Sequence, residues 1–242
     1  MADVLAGRHA LVTGASSGVG RAIALALAEN GAFVWATGRR IDELVRLAAQ
    51  APGDRITPLP GDLARPADMA RIVEQVRRGG RLDILIHAAA VYAHGPVTEL
   101  GTRELDEMLA INVVAPHDLT RSLLPLLSTS HGGIVFLNSS VSLTTGSGPS
   151  GYAASKQALR GYVDVLRREV NADGIKVCSL FLGRTATPLQ ERLHATEGRR
   201  YDPDRLIQPT DVAGVVVFLL TLPDSVELTD VSLRPMRPPL DA

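Results

Sequence analysis

The sequence predicts one α/β domain spanning residues 1–242: a doubly wound parallel sheet of about seven strands with helices on both faces, in three layers. Short apolar runs alternate with amphipathic stretches along the whole chain, the pattern of right-handed strand–helix–strand crossovers that lay strands side by side in parallel. The apolar runs are continuous rather than alternating, as expected of strands covered by helices on both faces. No internal repeat and no interdomain linker interrupts them.

Taken in order, residues 9–13 read as the first buried strand, and the alanine- and leucine-rich stretch 20–29 as the first helix, ended by Asn30-Gly31. Strand 32–37 follows, then helix 41–50, stopped before Pro52, and strand 55–59. Helix 66–78 carries proline in its first turn and stops at Gly79-Gly80. After strand 82–87 comes a long helical stretch, 102–127, strained by Pro116 and Pro125. Strand 133–138, helix 151–171 and strand 176–182 complete the central pattern. Helix 210–222, with Thr210 as its expected N-cap, and strand 229–233 close the chain. The one long irregular segment, 188–209, follows a strand end, where such sheets bind ligands, and is expected to act as a substrate lid.

Composition excludes several classes. A net charge of −1 with interspersed signs leaves no basic footprint for nucleic acid. The single Cys178 rules out an intrachain disulfide and sits in an apolar run as a small hydrophobe. The N-terminus lacks the basic and apolar regions of a signal peptide, and no apolar run approaches the ~18 residues of a membrane span, so a cytoplasmic protein without membrane contact is expected. The scattered His94, His117, His131 and His194 show no metal-ligand spacing and read as surface or loop residues, so no metal is expected.

Between the first strand and first helix stands Thr13-Gly14-Ala15-Ser16-Ser17-Gly18-Val19-Gly20. Glycines at a strand-to-helix turn let backbone approach a pyrophosphate, and the helix start offers free N–H groups to it. At the end of the second strand, where an acidic residue would hold a ribose 2′-hydroxyl, the chain has Arg39-Arg40. Arginine attracts a 2′-phosphate through charge-assisted hydrogen bonds, so NADP is favoured over NAD; the competing reading is a solvated loop. Asp62, followed by Leu63, is placed either to accept from an adenine amino group or to cap its own turn.

Tyr152 and Lys156 are four apart, one turn from each other on a helix face. The serine pair Ser139-Ser140 ends the preceding strand, so a hydroxyl, a phenol and an ammonium can gather for proton transfer. Lysine occurs only at positions 156 and 176 in a chain that otherwise uses arginine, which marks positions where a compact charge is needed.

The Thr-Gly-x3-Gly-x-Gly and Tyr-x3-Lys motifs together resemble the short-chain dehydrogenase/reductase family, from residue 8 to about residue 233. The resemblance implies a Rossmann-type fold, a nicotinamide cofactor, and hydride transfer between that cofactor and an alcohol or carbonyl substrate. It makes Tyr152 the acid/base, Lys156 its partner, and Asn112 the residue that supports the lysine through a water. The substrate-holding serine is Ser139, thirteen positions before the tyrosine, or Ser140 if the loop is shorter. A nearby ammonium and nicotinamide charge are expected to lower the Tyr152 pKa. Gly183 and Thr187 match a nicotinamide-contacting pattern that also encloses Thr185, with Leu182 where the family has proline.

The chain departs from the family at His87-Ala88-Ala89-Ala90, where Asn-Asn-Ala-Gly is usual. Ala88, Ala89 and Ala90 are still expected along the cofactor, with an added Cβ at 90, and His87 reads as a structural substitute. The glycine-rich C-terminal turn is also missing. Substrate walls are expected at 91–97, 143–150 and 188–209, with Tyr92, Leu143, Leu189 and Leu193 making them partly apolar. The family habit of pairing the two long helices implies a homodimer or homotetramer. A cofactor-binding sensor with little turnover, and non-redox chemistry on the same fold, are the alternative readings.

Overall fold

A computed structural model of the chain describes residues 3–144 and 148–237. Seven strands, β1 (His9–Val12), β2 (Phe33–Gly38), β3 (Ile56–Pro60), β4 (Ile84–His87), β5 (Gly133–Ser139), β6 (Lys176–Leu182) and β7 (Asp230–Leu233), form one sheet in the order β3-β2-β1-β4-β5-β6-β7. Every pairing is parallel. The order reverses between β1 and β4, so a crevice opens beyond their carboxyl ends.

Among the described residues eight α-helices accompany the strands: α1 (Gly18–Glu29), α2 (Ile41–Ala48), α3 (Pro66–Arg78), α4 (Thr102–Leu109), α5 (Ala115–Ser130), α6 (Ser150–Val170), α7 (Pro188–Thr196) and α8 (Pro209–Leu220). Side chains along a strand alternate between the faces, and the core divides accordingly. Ala10, Val12, Val34, Ile84 and Leu180 face a layer built on Ile23, Leu27, Leu44 and Val216 of α1, α2 and α8. Leu11, Leu85, Ile134 and Phe136 face the other layer, built on Ile72, Leu119, Leu123 and Val163 of α3, α5 and α6. Helices thus bury both faces of the sheet, which is why its strands read as unbroken apolar runs. Among the described residues no helix is long and apolar enough to cross a membrane.

Three expectations change. The stretch 102–127 is not one helix: a π-helical turn at residues 110–114 separates α4 from α5. Proline at 116 has no N–H to give the carbonyl of Asn112 four residues earlier, so the regular ladder cannot run through this point. The segment 188–209 is not irregular, since it contains α7 and a short 3-10 turn at Pro203–Arg205. Thr210 is not the N-cap of α8. Pro209, with φ preset for a first helical position, starts the helix, and the Asp211 carboxylate accepts from the backbone N–H of Gln208 at 3.0 Å.

Candidate active site

The carboxyl ends of the strands line a cleft of about 840 Å³. At one end lies the glycine-rich turn. Gly14 has φ +66°, and a Cβ there would stand 2.8 Å from the Ala89 backbone. A Cβ on Gly20 would meet the Gly14 carbonyl oxygen at 2.5 Å. Both positions therefore need glycine if the turn is to lie this close to β4. Thr13 fastens the arrangement: its buried Oγ1 donates to the Ile86 carbonyl (3.2 Å) and accepts from the N–H groups of Ala88 (2.9 Å) and Ala89 (3.1 Å). The motif alone assigns Thr13 no task; its signal in the sequence is a hydroxyl at a strand end just before a glycine cluster.

Ser17 caps α1 without a side-chain hydrogen bond, so the first-turn N–H groups of that helix lack intrahelical partners where Ser16, Ser17, Gly18, Val19 and Gly20 line the cleft. Thr187 leans over the same turn, its Cγ2 3.1 Å from where a Cβ on Gly18 would lie. The two arginines divide. Arg40 is tied to the turn, donating to the Ser16 carbonyl at 3.2 Å and approaching the Ser16 hydroxyl at 3.5 Å. Arg39 lines the cleft, is exposed, and among the described residues makes no hydrogen bond or ion pair. Asp62 and Leu63 close this end. One Asp62 carboxylate oxygen accepts from the Ala64 N–H at 3.0 Å, a cap on its own turn.

At the other end stand Ser139, at the tip of β5, and Tyr152 and Lys156, on the first turns of α6. Ser139 and Tyr152 both line the cleft here, with the Ser139 hydroxyl close enough to the phenol to bear on its ionisation. Ser140 also lines the cleft and opens the 3-10 turn that follows β5. Burial pushes the Tyr152 pKa up to about 12; the Ser139 hydroxyl opposes the rise and the neighbouring Tyr92 adds to it. The expected lowering is therefore overturned for the protein alone. The Lys156 ammonium lies 6.0 Å from the Tyr152 ring centroid and donates to the Leu137 carbonyl at 3.0 Å. Burial pushes Lys156 itself down to about 8, so desolvation outweighs any attraction between the two.

Asn112 sits behind the cleft wall, buried on the π-helical turn. Its amide donates to the Val91 carbonyl (3.0 Å) and the Ser155 hydroxyl (3.0 Å), and its oxygen accepts from the Val91 N–H (2.9 Å). Ser155 in turn donates to the Tyr152 carbonyl at 2.8 Å. Asn112 and Ser155 thus pin the loop after β4 to the turn of α6 that carries Tyr152, a task that spacing alone does not assign to Ser155. Of the residues expected to form walls, Tyr92, Leu189 and Leu193 line the cleft. Leu143 does not, and is substantially exposed. Positions 145–147 of the expected 143–150 wall lie outside the described residues.

A family model described as short chain dehydrogenase matches residues 8–198. The chain belongs to the short-chain dehydrogenase/reductase family. A short-chain type dehydrogenase/reductase of Sinorhizobium fredii is 34% identical, over 93% of this chain and 90% of its own. An alcohol dehydrogenase from Thermococcus sibiricus, solved with 5-hydroxy-NADP, superposes with a TM-score of 0.85 at 26% identity, over 96% of this chain and 98% of its own. A putative NAD(P)-dependent gluconate 5-dehydrogenase from Beutenbergia cavernae, solved with bound NADP, gives 0.85 at 31% identity, over 96% and 97%.

For a short-chain dehydrogenase/reductase, the departures after β4 and at the C-terminus have local structural answers. His87 is buried, with Nε2 2.9 Å from the Thr120 hydroxyl and its ring stacked on Phe136 at 4.6 Å. Burial pushes its pKa down to about 3, and it points away from acid/base work. Ala88 and Ala89 keep the backbone N–H groups that Thr13 needs, and Ala90 presents its Cβ at the exposed cleft wall. The Gly183 N–H donates to the Leu233 carbonyl at 2.8 Å, and a Cβ there would meet Pro235 at 3.1 Å. The atypical C-terminal segment therefore packs directly against the end of β6. Thr185, buried and lining the cleft, donates to the Gly183 carbonyl at 3.0 Å. His194 is not a surface residue either: it is only 6% exposed.

Proposed function

We propose that this oxidoreductase transfers hydride between NADP(H) and an alcohol or carbonyl substrate, with Tyr152 as general acid/base. The observation that carries the reading is the convergence of Ser139, Tyr152 and Lys156 at one end of a cleft whose other end holds the glycine turn and Arg39, which has no partner among the described residues.

The residues fit a dinucleotide phosphate. There is no room for a Cβ at Gly14 or Gly20, the first turn of α1 offers N–H groups, and Arg39, without a partner among the described residues, is suited to a 2′-phosphate. Several solved relatives carry NADP, in keeping with this choice. When bound, the nicotinamide supplies or accepts the hydride. Ser139 holds the substrate oxygen by hydrogen bond, and Tyr152 gives or takes the proton on that oxygen. A phenol held at about 12 in the protein alone is a sound proton donor and a poor base. Reduction of a carbonyl is thus the direction this site serves without further adjustment. Lys156, held on the Leu137 carbonyl, keeps a proton within one helical turn of the phenol. Exposed Leu105, Val114 and Val165 on the α4–α6 side are in keeping with homo-oligomer assembly through that face.

The test is titration with NADPH and a panel of carbonyls, comparing wild type with Tyr152→Phe. Both proteins bind NADPH, and turnover falls by about 10²–10⁴-fold in the variant. Binding in both with no Tyr152-dependent turnover of any carbonyl would identify a cofactor sensor instead.

A further inference from the structure

Helix α7 supplies Leu189, Gln190, Arg192 and Leu193 to the cleft, yet it has almost no apolar anchorage. Its only buried residue is His194. A nine-residue helix is marginal by itself and depends on tertiary contacts for its place. The two stems of the segment are fixed by backbone bonds: the Ala186 N–H donates to the Ile207 carbonyl at 2.8 Å, and the Ile207 N–H to the Arg184 carbonyl at 3.1 Å. Between these stems, α7 hangs on a polar cluster. Arg184 donates to the Glu197 carboxylate at 2.8 Å and to His194 Nε2 at 3.4 Å. An arginine can only donate, so Nε2 accepts and the ring proton sits on Nδ1, which donates to the Gln190 carbonyl at 2.8 Å; the Gln190 side-chain amide nitrogen, 3.1 Å from the same Nδ1, makes no hydrogen bond to it in this tautomer. Tyr201 covers the imidazole edge-on at 5.4 Å, and the Arg199 N–H donates to the His194 carbonyl at 2.8 Å. Both ring nitrogens are used, and the Arg184–Glu197 pair is well shielded, with side chains 29% and 21% exposed.

We propose that Arg184, His194 and Glu197 form a clamp that fixes α7 as a preformed wall of the substrate end of the cleft, with His194 as its positioning residue. The clamp joins the strand end next to the nicotinamide-side residues to the far end of α7, so Leu189 and Leu193 hold their place before substrate arrives. Charges of the same cluster act on the Tyr92 phenol, which packs edge-on against Tyr152 at 4.8 Å. The clamp therefore stands at the reacting end of the cleft. His194 does not line the cleft, so its influence on catalysis runs through α7 and through Arg184. The wall's role in substrate binding rests on the function proposed above; the clamp itself does not.

Limited trypsin digestion, with kinetics on the same proteins, tests both parts. Arg192, Arg199 and Arg200 are exposed cleavage sites within the clamped segment. In His194→Phe, which keeps a ring but loses both hydrogen bonds, and in Glu197→Gln, nicking between residues 192 and 205 rises by about ten- to hundredfold over wild type. His194→Asn, which keeps a donor for the Gln190 carbonyl, falls between. In His194→Phe the KM for the carbonyl substrate rises while NADPH affinity is unchanged and kcat changes less than KM. Unchanged nicking in both variants, or nicking spread over the chain with a parallel loss of thermal stability, would overturn the clamp. Confined nicking with unchanged KM would overturn the wall. Wild type without Tyr152-dependent turnover would sink the proposed function, while the proteolysis result would still decide the clamp.

Discussion

Arg39 and Arg40 are adjacent and carry the same charge, but the structure gives them different work, and substitution separates them. Arg40 is spent on Ser16; Arg39 is exposed on the cleft without a partner among the described residues. Hydrogen bonds to a charged group are worth about 1.5–3 kcal/mol. Exposure and salt screening reduce that for a surface guanidinium, leaving about 1–2 kcal/mol for a 2′-phosphate contact. Arg39→Ala should therefore weaken NADPH binding by about 5–30-fold. NADH, which lacks the phosphate, should bind as before. The NADPH loss should shrink at high salt. Arg40→Ala loosens the glycine turn and should weaken both cofactors alike. Fluorescence titration of the three proteins with each cofactor, at low and high ionic strength, reads all of this. An unchanged NADPH Kd in Arg39→Ala, or an equal loss for NADH, would refute the assignment of Arg39 to the 2′-phosphate.

Two further predictions concern buried titratable groups. Lys156 is held at about 8 against an ordinary 10.5, so between these values the unfolded chain binds more protons than the folded one and stability rises with pH. Denaturant unfolding should show the protein alone gaining about 2 kcal/mol between pH 8 and about pH 10 relative to Lys156→Met. The trend reverses above the ordinary tyrosine pKa, because Tyr152 ionises at about 12 when folded and at 10.0 when unfolded. His87, held at about 3 against 6.5, also leaves the unfolded chain with more protons in that interval, so stability falls as pH drops below 6.5. His87→Asn should remove about 2 kcal/mol of the loss seen between pH 6.5 and about pH 4.5, while Tyr152-dependent turnover persists, as measured by unfolding curves and steady-state assays.

The sheet was legible because its strands are buried on both faces and so carry no polar interruptions; the seven runs were found with ends displaced by a residue or two. Tyr152 and Lys156 were legible because four-residue spacing puts them one helical turn apart, and the glycine turn because it stands between the first strand and the first helix. What stayed hidden depended on contacts between distant parts of the chain. Helix α7 escaped notice because its one buried residue is a histidine whose partner Arg184, itself paired with Glu197, comes within reach only in the fold. The π-helical turn was visible only as a strained proline, not as the feature that sets Asn112 against Val91 and Ser155. The Tyr152 pKa was misjudged because sequence shows the lysine four residues away but not the burial of both groups. Gly183 lines the cleft as the family pattern implies, but its packing against the C-terminal segment at Pro235 could not be read from the sequence.

The central claim is that Tyr152 supports hydride transfer from NADPH to a carbonyl carbon. The most direct measurement uses NADPH deuterated at nicotinamide C4 with a carbonyl substrate found by the panel, and mass spectrometry of the alcohol formed. The account predicts one deuterium on the carbinol carbon, matched mole for mole by NADP formed, and neither in Tyr152→Phe. Product without deuterium and without NADPH consumed, or equal deuterium transfer by the phenylalanine variant, would contradict it.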